Sequence, residues 1–343
     1  MSTAFSWQGL PQYAARQLRP AIAQLGHPCT VIGTRPAVPI QGMEDALGQP
    51  IHWVDGAQVV CWADLGLAVP QVFFQAGWSC PAFNALGDEV RAAGGKVCLL
   101  MDNDWRGNLR QWFGGAWFRL AIKRKFAAVM VPGRSGRRLA RWYGFAQEEI
   151  FEGLYGAAPS VFYDGPPLAA RPKRILFVGQ YIERKDCLGL ATAFALVADQ
   201  LPAWELHLYG SGPLQDKIPA HPRIRVHGFV QPTELGGLYR SARIFALPSF
   251  SEAWGLVVHE AALSGCQLLL SAAIGSRHDF ADHKNAAEFP VGDRLALAQA
   301  LMQLAAADDH ALAQAQAESR ARAATHGPAV FANRVAAIVS KLS

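Results

Sequence analysis

Ser249-Phe250-Ser251-Glu252-Ala253-Trp254-Gly255-Leu256-Val257-Val258-His259-Glu260-Ala261-Ala262-Leu263-Ser264-Gly265 sets two carboxylates, Glu252 and Glu260, eight residues apart. Before it, the apolar run Arg243–Leu247 reads as a strand that ends at Pro248. Within it, Val257, Val258, Ala261 and Ala262 mark an apolar helix, with Glu252 in the preceding turn and Glu260 two turns inside. A strand that feeds a polar turn and then a helix start presents free amides, here of Gly255, Leu256 and Val257, at the positive end of the helix dipole. Such a place favours phosphate. The two carboxylates would repel a bare phosphate, so they are expected to face hydroxyl donors such as vicinal diols. A diphosphate flanked by two sugars, a nucleotide-sugar, meets both demands. The plainer reading is a helix cap at Ser251, with an ordinary acid near a helix start. That reading leaves Glu260 unexplained, because an unpaired charge among Val257, Val258, Ala261 and Ala262 is costly.

The chain of 343 residues exceeds a comfortable single core, so two domains are expected. A hydrophobic content of 51% with 17% charged residues is that of a folded globule. The balance of 32 basic to 27 acidic residues suits anionic small molecules or a membrane surface and is too weak for nucleic acid. The six cysteines are scattered without a Cys-x-x-Cys pair, as buried thiols of a reducing compartment would be. The N-terminus lacks a basic segment followed by an apolar core, and no window approaches 18 uninterrupted apolar residues. No signal peptide and no spanning helix are expected, and the sequence reads as cytoplasmic.

Short apolar strands alternate with amphipathic helices. In the first half Cys29–Ile32, Val59–Trp62, Val72–Phe74, Val97–Met101 and Ala128–Val131 read as strands. Between them lie helices such as Gln12–Leu25, closed by Gly26, and Ala82–Ala93, closed by Gly94 and Gly95. A Pro- and Ala-rich connection spans residues 156–173. Beyond it Ile175–Val178, Trp204–Tyr209, Arg223–Val226, Arg243–Leu247 and Gln267–Leu270 read as strands, with Cys187–Ala198 a helix. Leu295–Ala317 reads as one surface helix, and Pro328–Ser343 as a last helix able to pack back on the first domain. Alternation of this kind implies parallel sheets, and two such runs imply two doubly wound, Rossmann-like domains facing across a cleft.

Four landmarks then occur in order: Phe177-Val178-Gly179 with Arg184-Lys185; Tyr209-Gly210-Ser211-Gly212-Pro213; His227-Gly228-Phe229-Val230; and Pro248-Ser249 leading to Glu252 and Glu260. Over residues 174–280 the chain therefore resembles retaining glycosyltransferases of the GT-B fold, and is most similar to the large family 4 group (glycosyl transferases group 1). The first half resembles that group only loosely. A dinucleotide fingerprint at Gly210-x-Gly212 is excluded by Gln215 where a third glycine belongs.

The resemblance implies an acceptor-binding domain over 1–165, a donor domain over 166–327 and a C-terminal helix over 328–343. It implies a metal-independent hexosyltransferase without a cofactor, its donor a nucleoside-diphosphate sugar. By the same resemblance Arg184 and Lys185 neutralise the donor diphosphate, Glu252 binds the transferred sugar and Glu260 holds the ribose diol. Gly179, Gly210 and Gly212 line the donor site at strand ends, Phe229 and Val230 hold the nucleobase, and amides near Gly255, Leu256 and Val257 meet the phosphates. The chain departs from the group at three places. Gln180 stands where an arginine is common, Gly9 stands alone where a glycine pair is usual, and Asp102-Asn103-Asp104 occupies the place of a histidine near the donor sugar. Asp102 is the candidate to accept from a sugar hydroxyl or orient the acceptor, against the plainer reading of a solvated loop.

The acceptor is expected to be a glycan, a lipid-linked glycan or a small molecule. Residues 106–126 interleave Arg106, Arg110, Arg119, Lys123, Arg124 and Lys125 with Trp112, Phe113, Trp117, Phe118 and Phe126, and Trp105 immediately precedes them. A basic helix with aromatic anchors suits peripheral contact with an anionic membrane, the alternative being an ordinary helix with its aromatics in the core. The basic cluster Arg134–Arg141 reads as a solvated helix face. Two further functions remain compatible with the fold: a nucleotide-sugar epimerase, for which no acid/base pair stands out, and a catalytically degenerate partner protein, suggested by Gln180 and the missing histidine.

Overall fold

The structure, a computed structural model, describes residues 1–36 and 41–343, the side chains of Arg110 and Pro232 excepted. The chain divides into two compact units, one of residues 1–156 with 326–343 and one of residues 157–325. The crossings therefore follow Gly156 and Thr325, where the sequence suggested 165 and 327.

The first unit runs β1 (Thr3–Trp7), α1 (Gln12–Leu25), β2 (Cys29–Gly33), α2 (Met43–Leu47), β3 (His52–Trp53), β4 (Val72–Ala76), α3 (Pro81–Ala92), β5 (Lys96–Leu100), α4 (Leu109–Trp117), β6 (Ala128–Val131), α5 (Arg134–Trp142) and β7 (Ile150–Glu152). Among the described residues its seven strands are parallel, in the order β3-β2-β1-β4-β5-β6-β7. The second unit runs β8 (Arg174–Val178), α6 (Cys187–Val197), β9 (Glu205–Tyr209), β10 (Ile224–His227), α7 (Pro232–Arg240), β11 (Ile244–Leu247), α8 (Leu256–Leu263), β12 (Gln267–Ser271), α9 (Arg277–Phe280), β13 (Ala286–Phe289), α10 (Arg294–Ala305) and α11 (Asp309–Ala323). Its six parallel strands are ordered β10-β9-β8-β11-β12-β13. Parallel strands are covered on both faces, which is why β12, Gln267-Leu268-Leu269-Leu270-Ser271, is buried at every position. In each sheet the strand order reverses beside the first strand, between β1 and β4 and between β8 and β11. Loops leaving the carboxyl ends of such a pair part in opposite directions and leave a crevice for a ligand.

Helix α12 (Pro328–Leu342) returns the chain to the first unit and packs along α1. Phe331, Val335 and Ile338 enter the same core as Leu18, Phe5 and Phe74. The buried amide of Gln17 ties down the exit of β7, donating to the Leu154 carbonyl (2.7 Å) and accepting from the Gly156 N–H (3.1 Å). Gly156 must be glycine, since a Cβ there would strike the Gly327 backbone.

Two expectations fail here. Val59–Trp62 is not a strand but a loop, in which Val59 is exposed and Trp62 turns inward against Phe73. Leu295–Ala317 is not one surface helix. It breaks at residues 306–308, where Asp308 caps α11 by accepting from the Ala311 N–H (2.8 Å), and both helices bury an apolar face. Alanines so dominate this stretch that its apolar stripe was inconspicuous. Removal of the Phe331 ring is expected to destabilise the first unit by about 3–5 kcal/mol, read as a lower urea midpoint for Phe331→Ala; an unchanged midpoint would deny α12 its place in that core.

Candidate functional site

The loop after β8 is shaped by backbone contact. Gly179 donates its N–H to the Tyr209 carbonyl (3.0 Å), and Tyr181 donates to the Ser211 carbonyl (2.9 Å). Gly210 and Gly212 take φ of +153° and +155°, and a Cβ on either would collide with the backbone of Gly179 or Tyr181. The close approach these glycines permit is thus that of residues 179–181 of the same chain. Beyond it, Glu183–Lys185 form a short 3-10 turn, and Asp186, at φ +48°, caps α6 by accepting from the Gly189 N–H (3.0 Å). Burial pushes the Asp186 carboxyl up from its ordinary value.

That turn aims two cations at the loop after β11. Phe250 donates its N–H to the Arg184 carbonyl (2.8 Å), while the Arg184 guanidinium donates to the Ser251 carbonyl (2.9 Å) and to Oε2 of Glu252 (3.1 Å). Lys185 Nζ bonds the same Glu252 oxygen. The side chains of Lys185 and Glu252 are 13% and 15% exposed against 46% for Arg184, so the lysine pair is the sheltered one and the less screened. Glu252 was expected to face hydroxyls; here its carboxylate is already engaged by both cations. Its backbone bridges Ile274, its carbonyl accepts from the Gly275 N–H (3.0 Å), and the Ser276 N–H bonds the Trp254 carbonyl (3.0 Å).

Ser251 does not cap α8. Gly255, in the left-handed region at φ +87°, precedes the helix, and Leu256 and Val257 supply its first amides without a side-chain cap. The helix start therefore presents donors beside the Glu252 carboxylate.

Glu260 is buried one turn further along, where Tyr239 of α7 donates its hydroxyl to Oε2 (2.8 Å). Burial pushes this carboxyl up to about 7, against the opposing pull of the Tyr239 hydrogen bond. The Tyr239 hydroxyl is itself pushed well above its usual range by burial and by this carboxylate. Tyr239 was missed from the sequence. Its only signal is an i, i+4 spacing from Leu235 on the buried face of α7, where a tyrosine hydroxyl needs a partner.

Gly228, Phe229 and Val230 follow β10. The Gly228 carbonyl accepts from the Gly210 N–H (3.1 Å), Phe229 is exposed and Val230 is half-buried. On the neighbouring strands Tyr209 and His227 stack at 4.1 Å.

Asp102 belongs to the first unit, after β5, and accepts from the Tyr155 hydroxyl (3.1 Å). With Trp7, Gln8, Ala76 and Gly77 these two side chains line a hollow of about 90 Å³ at the carboxyl ends of β1, β4 and β5. Asp104, by contrast, is buried and paired with Arg106 (3.1 Å), which makes it a brace of its loop. Gly9 takes φ +57° and donates its N–H to Thr34 Oγ1 (2.7 Å).

Residues 172–307 match the family described as glycosyl transferases group 1. Among curated proteins none matches this chain. The Anabaena protein HepE, solved in complex with UDP and glucose, superposes with a TM-score of 0.77 at 16% identity over 100% of both chains. Sucrose-phosphate synthase from Thermosynechococcus elongatus gives 0.74 at 18% identity, over 100% of this chain and 99% of that one. A glycosyltransferase from Rickettsia africae gives 0.75 at 12% identity, over 99% and 98%. At these identities the likeness is one of fold: both units are Rossmann-like, and together they have the GT-B fold of these structures, with the family match confined to the second unit.

The raised Glu260 carboxyl makes stability depend on pH. Between about 4.5 and 7 the folded chain keeps a proton that the unfolded chain has lost, so this group's contribution is greatest below about 4.5 and falls as pH rises through about 7. The whole change is on the order of 3 kcal/mol. Glu260→Gln should flatten the decline in urea midpoint between about pH 5 and pH 8 relative to the parent chain. Parallel profiles for the two proteins would show that Glu260 does not titrate in this way.

Proposed function

We propose that the protein is a retaining glycosyltransferase that moves a hexose or N-acetylhexosamine from a nucleoside-diphosphate sugar to a glycan, lipid-linked or small-molecule acceptor, in the synthesis of a cell-surface polysaccharide or glycoconjugate. The observation that carries this reading is the engagement of Glu252 by Lys185 and Arg184 at the carboxyl ends of β8 and β11, beside the first amides of α8. The group 1 match over this unit supports it, as does UDP in the HepE structure, which makes UDP the first donor nucleotide to test.

The diphosphate binds against Lys185, Arg184 and the amides of Leu256 and Val257, and the two cations pass to it from Glu252. Glu252 is thereby released to accept from hydroxyls of the transferred sugar. Glu260, already in a dry pocket with Tyr239, accepts from the ribose diol, with Gly179, Gly210, Gly212, Phe229 and Val230 about the nucleoside. The acceptor hydroxyl attacks the anomeric carbon from the face on which the diphosphate departs. A glycosidic C–O bond forms as the sugar–phosphate C–O bond breaks, and the hydroxyl proton passes to the leaving phosphate oxygen. Lys185 and Arg184 stabilise the charge that grows on that phosphate, the duty a metal ion performs in other transferases, and such a clamp is a large catalytic contribution. Asp102 is assigned to orient the acceptor or a sugar hydroxyl, and residues 106–126 to peripheral contact with a membrane at its cytoplasmic face. No helix among the described residues is long and apolar enough to cross one.

Lys185→Ala should lower kcat by about 10²–10³-fold in a chain that still folds, since Arg184 continues to pair with Glu252. Donor consumption at the parental rate would remove Lys185 from the mechanism. Retained UDP binding with no turnover by the parent chain on any acceptor would instead favour the non-catalytic partner.

A further inference from the structure

Helix α5 carries Arg134, Arg137, Arg138 and Arg141 at spacings of three and four, which puts all four on one side of the helix. They are not a plain solvated face. They line one side of an open hollow of about 500 Å³ whose other wall is Trp105, Trp112 and Trp142. The indoles are held in place: Trp112 and Trp142 meet edge to face at 4.4 Å, and Trp142 donates its ring N–H to the Gln111 carbonyl (3.1 Å). Gly115 makes room for Trp142, since a Cβ there would strike the indole. Arg137 is ion-paired with Glu152 (2.6 Å), and Arg138 lies 5.3 Å over the Trp105 ring. Arg138 and Arg141 are exposed, and among the described residues no carboxylate pairs with either. The hollow thus carries excess positive charge beside an aromatic wall.

Beside it lies apolar surface. On α4, Leu109, Trp112, Phe113 and Trp117 fall along one stripe and are all exposed, as is Leu120 just beyond. A contiguous apolar patch of this kind marks a binding surface more often than a water-facing one. Cation-lined cavity and apolar stripe meet at Trp112.

We propose that the hollow between α4 and α5 binds the phosphate headgroup of a single-molecule amphiphile. The guanidiniums of Arg138 and Arg141 take the phosphate oxygens, for which their fixed pair of donors is suited, and the indoles and the Leu109–Trp117 stripe take the start of the hydrocarbon chain. Free phosphate shares the headgroup chemistry but has nothing to place on the stripe. The site deepens the acceptor and membrane-contact reading given above, and it concerns binding alone, so a failure of Lys185→Ala to lose turnover bears on the transfer reaction and not on this site.

The test uses the full chain with dihexanoyl phosphatidic acid below its critical micelle concentration, read by calorimetry and tryptophan fluorescence, with dihexanoyl phosphatidylcholine and inorganic phosphate in parallel. Saturable one-to-one binding of the phosphatidic acid is expected, at least about tenfold tighter than either comparison compound. The paired substitution Arg138→Ala and Arg141→Ala should weaken it by at least about tenfold without a change in melting temperature or in UDP binding. Three results would overturn the proposal: no saturable binding, equal binding of inorganic phosphate, or binding that survives the paired substitution.

Discussion

One carboxylate shared by two cations organises the second unit. Glu252 follows β11 and Lys185 with Arg184 follows β8, and these strands are neighbours where the sheet order reverses. The contact needs both loops fixed. Gly210 and Gly212 admit the backbone of residues 179–181, Asp186 ends the 3-10 turn in a left-handed conformation, and the segment 273–276 holds the Glu252 backbone from the other side. A single disturbed loop would leave a sheltered charge without its partner, which is costly.

The two acids of the opening motif live in different surroundings. Glu252 is held between two cations, whereas Glu260 is buried and accepts from the Tyr239 hydroxyl. Sheltered but held by two cations, the first is suited to exchange partners with an anion, because what it releases is charge. The second is suited to accept neutral hydroxyls, because burial has already lowered the competing demand of water. Sugars joined by a diphosphate present both kinds of group.

Much of this was legible from residue pattern. Gln12–Leu25 was bounded by Gly26, which closes α1 in the left-handed region, and Cys187 begins α6 as read. The parallel, doubly wound character followed from strand–helix alternation. What escaped had physical reasons. Thr3–Trp7, the central strand β1, buries the polar Thr3 and Ser6 and so lacks the continuous apolar run by which the other strands are read, and the two-residue β3 is too short for periodicity to register. Val59–Trp62 looks like a strand by composition but pairs with no strand among the described residues, and Trp62 turns inward to donate its ring N–H to the Leu86 carbonyl. The Glu252 and Glu260 positions were visible; their partners were not, since Tyr239 and the cations are distant in sequence and meet them only through the fold. The arginines of α5 misled for the same reason: their aromatic wall comes partly from α4 and the loop before it.

The most direct test of the account is a crystal structure of the chain with UDP. The account predicts the two phosphates within hydrogen-bond distance of Lys185 Nζ, the Arg184 guanidinium and the Leu256 or Val257 amide, with the Glu252 carboxylate no longer bonded to either cation. UDP bound elsewhere, or bound while Lys185 and Arg184 stay on Glu252, would contradict it.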